Sequence, residues 1–314
     1  MQSRLLVNLI LLAVIAILAA VAIIKPGKKE VAPPPLLAID AHTLTHVILQ
    51  NRETLHFEKQ DGQWRLTAPF AARLNQTRVS QLLDVANATS AAQYPLKADE
   101  LAQFGLNPPQ ATLTLGDKVL QFGSTDPLKM RRYVRIGDTL HLVDDNFFHH
   151  LTAAATDYVD KRLFPEGAKI REIQLPGLRA VKSAEGKWIA EPAADLGTDL
   201  AELASVWATS RAIDVKQMDP SAAGDIIRIG LAEAEPIEFV ILKTAPELVL
   251  GRRDLGLQYE LTRETSRELL NQPKPMAPPP GGQDYPEGQQ GEEDAGEHEE
   301  SGEPEDEGHD EDRE

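Results

Sequence analysis

The chain opens on an apolar run over residues 5–24, 20 residues whose one polar member is Asn8. At ~1.5 Å of helical rise per residue, such a run is long enough to cross a hydrocarbon core of ~30 Å. It predicts one N-terminal transmembrane helix. A cleavable signal peptide is the alternative, since Ala20-Val21-Ala22 places small residues at a cleavage spacing. The apolar run continues through Ile23 and Ile24, which favours an uncleaved anchor. Arg4 on one side faces Lys25, Lys28 and Lys29 on the other, so the positive-inside rule does not decide the orientation. The short N-terminal stub favours an N-in anchor with the bulk of the chain outside.

Beyond the anchor, Pro26, Gly27 and the Pro-rich stretch ending at Pro35 read as a stiff, extended linker. Short alternating segments at 45–49, 54–58 and 64–67, broken by Asn51 and by Asp61-Gly62, predict a meander of hairpins. The pattern then changes period. Val79, Leu82, Leu83 and Ala86 recur at i, i+3, i+4 and i+7, a helix with Asn75 as its cap and one apolar stripe to lie on a sheet. After a turn containing Gly105, Pro108 and Pro109, strands are predicted at 111–115, 119–122, 133–136 and 139–143, and a second helix over about 146–162.

The pattern then recurs. Gly62 and Trp64 return as Gly186 and Trp188, and the stripe Val79, Leu82, Leu83 maps onto Leu203, Val206, Trp207 at one constant offset. Tyr133 and Tyr259 follow their tryptophans by 69 and 71 residues, and each precedes a helical segment, the later one at 265–270. The second copy lacks the Gly-Leu-Asn-Pro-Pro turn. These observations predict an α+β fold: two tandem copies of an antiparallel-sheet-plus-helix module behind one N-terminal transmembrane helix. Chance similarity of generic strand-helix patterns is the alternative to duplication. The expected organisation is a stub and anchor over 1–29, a Pro-rich linker over 30–37, a first repeat over 38–168, a second over 169–272, and a disordered acidic tail over 273–314.

Composition changes the picture chiefly at the C terminus. The net charge of −17 over 314 residues is concentrated there, because residues 273–314 hold 16 acids against Lys274 and Arg313. The body is near −3 and offers no basic surface for a polyphosphate backbone, which argues against nucleic-acid binding. The tail has almost no apolar residues with which to offset its ordering entropy. With zero cysteines there is no disulfide, thiolate metal site or cysteine nucleophile.

Asp61-Gly62-Gln63-Trp64-Arg65-Leu66 with Ala68-Pro69, Phe104-Gly105-Leu106-Asn107-Pro108-Pro109, the segment 119–123 and Tyr133-Val134 together resemble an uncharacterised bacterial family, domain-of-unknown-function family 4340. The resemblance is close over 39–163 and loose over the second half. That family often carries tyrosine at the Phe104 position and aspartate at the Asn107 position. The resemblance implies a membrane-tethered, periplasmic α+β protein, frequently encoded beside gliding-type ABC transporter components. It brings no catalytic residues with it.

The residues themselves mark no site. His149-His150, with Asp144 and Asp145 nearby, forms the body's one adjacent histidine pair, but consecutive helical residues point about 100° apart and share one ion poorly. His42, His46, His56 and His141 read as half-exposed sheet residues, and Asp144 and Asp145 as solvated turn residues. There is no Gly-x-Ser-x-Gly elbow and no phosphate-binding Gly-x-x-x-x-Gly-Lys-Ser/Thr loop. Trp64, Trp188 and Trp207 read as core, with Trp64 and Trp188 both buried. Lys129, Arg131, Arg132 and Arg135 form the densest basic run, either a patch for an acidic partner or lipid headgroups, or the outward charges of an edge strand. The tail, with His298 and His309, is a weak site for divalent cations or a basic partner, or a solubilising extension.

No catalytic, cofactor-binding or metal-binding residue is assigned, and no cofactor. The expectation is a non-enzymatic, single-pass inner-membrane protein with its bulk in the periplasm, working beside an ABC transporter permease or related auxiliary subunits. The alternative is a periplasmic module that binds a polymer or small ligand between the two repeats. An apolar cleft with converging polar groups would favour binding, and a broad exposed apolar face would favour assembly.

Overall fold

The computed structural model describes residues 2–24, 34–37, 39–40, 43–191 and 199–270. The acidic tail, His42 and half of the expected linker, residues 30–33, lie outside those residues. The N-terminal apolar run is one helix, α1 (Gln2–Ile24). Its side chains are described without a break only over residues 6–17, and among the described residues no helix is long and apolar enough to cross a membrane.

The alternating segments build two antiparallel sheets. The first contains β1 (His46–Gln50), β2 (Thr54–Gln60), β3 (Gln63–Ala68), β4 (Ala72–Arg73), β5 (Ser90–Pro95), β6 (Ala111–Leu115), β7 (Lys118–Thr125), β8 (Arg131–Ile136) and β9 (Thr139–Asp144), in the spatial order β4-β3-β2-β1-β6-β7-β8-β9-β5. The helix α2 (Gln76–Leu83) stands between β4 and β5, and the single turn α3 (Phe148–Leu151) follows β9. The second sheet contains β10 (Ile170–Leu175), β11 (Leu178–Lys182), β12 (Trp188–Glu191), β13 (Asp214–Gln217), β14 (Ile226–Leu231), β15 (Ile237–Lys243), β16 (Leu248–Arg252) and β17 (Leu257–Leu261), in the order β12-β11-β10-β14-β15-β16-β17-β13. Here α4 (Leu200–Thr209) stands between β12 and β13, and α5 (Arg263–Leu269) follows β17. With β4 set aside, the two sheets have the same strand order and carry their helices at the same places in the chain.

Strand alternation drives burial. Val47 and Leu49 pair with Phe57 and Leu55 across β1–β2 and with Leu115 and Leu113 across β1–β6, so one face of three strands is fully apolar. The Asn75 side chain caps α2 by accepting from the backbone N–H groups of Thr77 and Arg78, and the helix lays Val79, Leu82 and Leu83 on that face. In the second half Asp199 caps α4, which buries Leu203, Ala204 and Trp207. Trp207 also donates its indole N–H to the Leu269 carbonyl at 3.1 Å, tying α4 to α5. Phe164, in the connection between the sheets, meets Trp207 and Phe239 edge-on, and the buried core is continuous across both sheets.

Several expectations are corrected. The helix expected over about 146–162 exists only as α3 and a 3-10 turn at Ala155–Tyr158, although Leu151, Ala155, Tyr158 and Val159 keep a helical spacing. The turn between β1 and β2 intervenes. The Asn51 amide donates to the Leu151 and Ala153 carbonyls at 2.9 and 3.0 Å, and the Glu53 carboxylate accepts from Ala155 N–H at 2.8 Å. Backbone groups that a helix would have paired internally are thereby taken. The strand β5 was not expected; it pairs β9 and supplies the sheet's far edge. Tyr133 lies on β8 and Tyr259 on β17, so they occupy non-equivalent strands. Trp64 is buried, but Trp188 is only half-buried, because β12 is the outermost strand whereas β3 has β4 beyond it.

Candidate functional site

Of the residues singled out by sequence, the basic run has the most definite fate. The strand β8 is not an edge; it lies between β7 and β9. Arg132 is buried and forms a bidentate pair with Asp145, at 2.8 and 2.7 Å, while its other nitrogen reaches Gln110 at 3.1 Å and the Gly123 carbonyl. Its guanidinium stands 3.3 Å from the centroid of the Phe148 ring. Arg131 pairs with Asp144 at 2.8 Å, and Arg135 bonds the Gly137 carbonyl and Gln121. The two aspartates read as solvated turn residues are therefore the counter-charges of this run. A bidentate, desolvated pair of this kind fixes geometry and leaves little positive field for a partner.

The histidines do not converge. His46 is exposed and His56 half-buried, in edge contact at 5.8 Å, whereas His141 is buried rather than half-exposed, its Nδ1 2.9 Å from the Ser90 hydroxyl across β5–β9. Burial holds the His141 pKa below its ordinary value. The rings of His149 and His150 lie 3.9 Å apart, tilted by 44°; burial lowers the His150 pKa, with His149 and Arg78 adding to the effect. Among the described residues no three metal-ligating side chains gather.

What the structure does assemble is a cleft of about 440 Å³ where the outer strands of the first sheet meet the second. Its walls are largely apolar, with Leu66, Ala72, Leu163, Pro165, Ile237 and Leu255, and its polar groups are Arg65, Arg73, Arg252, Tyr259 and Gln60. Arg65 on β3 and Arg73 on β4 are direct cross-strand partners, and Arg252 enters from the end of β16. Arg73 is held by Asp160 at 3.5 Å and donates to the Arg162 carbonyl at 2.8 Å. Burial pushes its pKa below the ordinary value, opposed by Asp160, with Arg252 and Arg65 pushing the same way as burial. Arg252 is buried and forms a two-point pair with Asp254, at 2.8 and 2.6 Å. Tyr259 is also buried, which raises its pKa, while Arg252 and Arg73 pull it back.

Chemically this is a polar cluster on an apolar floor, with forked donors aimed from both sheets. Among the described residues that line it there is no nucleophile beside a base and no carboxylate pair free of arginine partners. Sequence reading missed it for a simple reason. Arg65 and Arg73 lie nearly two hundred residues from Arg252 and Tyr259, and only the docking of one sheet against the other joins them.

None of the curated proteins and none of the solved structures is similar to this chain. A family model does match: Domain of unknown function (DUF4340), over residues 64–252, from β3 through β16 and thus across both sheets. Since that match covers more than half of the chain, the protein belongs to the DUF4340 family.

Proposed function

We propose that the chain is a non-enzymatic accessory protein anchored in the inner membrane by α1, with its two-sheet body on the periplasmic side, working beside an ABC-type transport assembly. One observation carries the anchoring. Between Leu6 and Ile17 nine aliphatic side chains of α1 are between 48 and 71% exposed, on all sides of the helix. A helix apolar all round is stable when buried in lipid or protein, not in water. The helix has 23 residues, a length at ~1.5 Å each comparable with a ~30 Å hydrocarbon core. Support for the transport assembly comes from the family resemblance alone. The shared strand order and helix placement support reading the body as two copies of one module. The test is purification of the full chain from membranes in mild detergent, beside a chain lacking residues 1–24. Recovery of permease or auxiliary subunits with the anchored chain supports the reading; the same protein set from both chains, or none, contradicts it.

The cleft favours a second reading, a binding module that holds a ligand between the two sheets. Its support is the convergence of Arg65, Arg73, Arg252 and Tyr259 on an apolar floor.

A further inference from the structure

We infer that the cleft between the sheets is a site for an anionic group, a carboxylate or phosphate carried on a small, partly apolar body. This rests on the second reading above, that the cleft holds a ligand, and names the ligand's chemistry.

Three observations carry it. Arg65 and Arg73 stand directly opposite each other across β3–β4, an arrangement of like charges that weakens a sheet unless an anion lies between them. The acids present do not supply that anion. Asp160 takes Arg73 and Asp254 takes two nitrogens of Arg252, while the Arg65 side chain makes no hydrogen bond or ion pair among the described residues, even with Glu58, its cross-strand neighbour on β2. Asp160 and Asp254 are thus taken by Arg73 and Arg252, and Arg65 is the guanidinium left open to one carboxylate or phosphate. Tyr259, lining the same cleft, makes no side-chain hydrogen bond among the described residues, so its hydroxyl is open to donate to an anion held there.

The surroundings strengthen the effect. Apolar walls lower the local dielectric and concentrate the field of the arginines on the cleft, and a planar guanidinium matches two oxygens of a carboxylate or phosphate at once. The volume of about 440 Å³ lies in the lower part of the ~300 to 1,000 Å³ range of ligand pockets, which suits a small molecule or the end of a longer one. Ile237 and Leu255, partly exposed, give the rest of the ligand an apolar seat.

The experiment follows thermal unfolding of the full chain in neutral detergent with three probes: phenyl phosphate, dihexanoyl phosphatidic acid and benzyl alcohol. Phenyl phosphate is expected to raise the melting temperature in a saturable way, and benzyl alcohol at the same concentration is not. Arg65→Gln is expected to weaken phenyl phosphate binding at least tenfold while the ligand-free melting temperature stays the same or rises, since the charge facing Arg73 is gone. Arg135→Gln, remote on β8, should bind as the parent does. Tenfold tighter binding of dihexanoyl phosphatidic acid than of phenyl phosphate assigns the anion to a lipid headgroup, and comparable or weaker binding assigns it to a soluble anion. Equal shifts with benzyl alcohol and with phenyl phosphate, unchanged in Arg65→Gln, overturn the anionic class but leave a cleft that binds. No shift with any probe overturns the cleft as a ligand site altogether.

Discussion

Replacing Asp145 by asparagine tests whether the basic run of β8 is spent inside the fold. The Arg132 side chain is 7% exposed and that of Asp145 is 19% exposed, so the substitution strands a buried guanidinium while deleting the neutralising charge of a two-point pair at 2.7 and 2.8 Å. Breaking a buried pair from one side costs about 3 to 5 kcal/mol, because the remaining ion is uncompensated. Arg132→Met removes the ion itself and keeps a chain that can lie on Phe148. The partly exposed Asp145 then rehydrates, and the cost falls to about 1 to 3 kcal/mol. With both changes no charge is left unpaired, so the double variant should be more stable than Asp145→Asn alone, with a coupling of about 2 kcal/mol. The assay is urea unfolding of the full chain in detergent, followed by tryptophan fluorescence, with the four proteins forming one cycle. If Asp145→Asn costs under about 1 kcal/mol and the changes simply add, the pair is not desolvated and the run is available to a partner after all.

Further predictions concern the core, a close approach and pH. Gly123→Ala should destabilise the first sheet strongly, by about 3 kcal/mol or more, since a Cβ there would meet the Phe104 carbonyl oxygen at 2.1 Å; urea unfolding measures it. Trp207→Ala should cost about 3 to 5 kcal/mol in the same assay, and Trp188→Ala distinctly less, because Trp207 is fully buried and Trp188 lies on an open edge. His141 and His150 have depressed pKa values in the folded state, so both stay neutral there while the unfolded chain takes up protons below about pH 6.5. The stability they contribute is present above that pH and is lost as pH falls through it. Melting temperatures between pH 7.5 and 5 should fall, and His141→Gln should flatten part of the fall.

Local chemistry was legible in the chain wherever one element decided it. The Asn75 cap, the stripe of Val79, Leu82 and Leu83, and the Asp61-Gly62 turn each act within a few residues, and strands appear close to where alternation puts them. What eluded sequence reading depends on distant partners. The helical spacing of Leu151, Ala155 and Tyr158 is real, yet Asn51 and Glu53, a hundred residues earlier, claim the backbone groups that helix needed. The buried state of Arg132 depends on Asp145 and Gln110, and the spacing of charges along β8 resembles that of an exposed strand. The arginine cleft was wholly hidden, because its two halves come from different sheets.

The central claim, a body held outside the inner membrane by α1, is tested most directly by fusing a topology reporter after Leu270 in the full chain and repeating the fusion without residues 1–24. The account predicts a reporter active only in the periplasm and retained in the membrane fraction after alkaline extraction, with both properties lost when the helix is removed. A reporter active in the cytoplasm, or a full-length chain released by alkaline extraction, would contradict it.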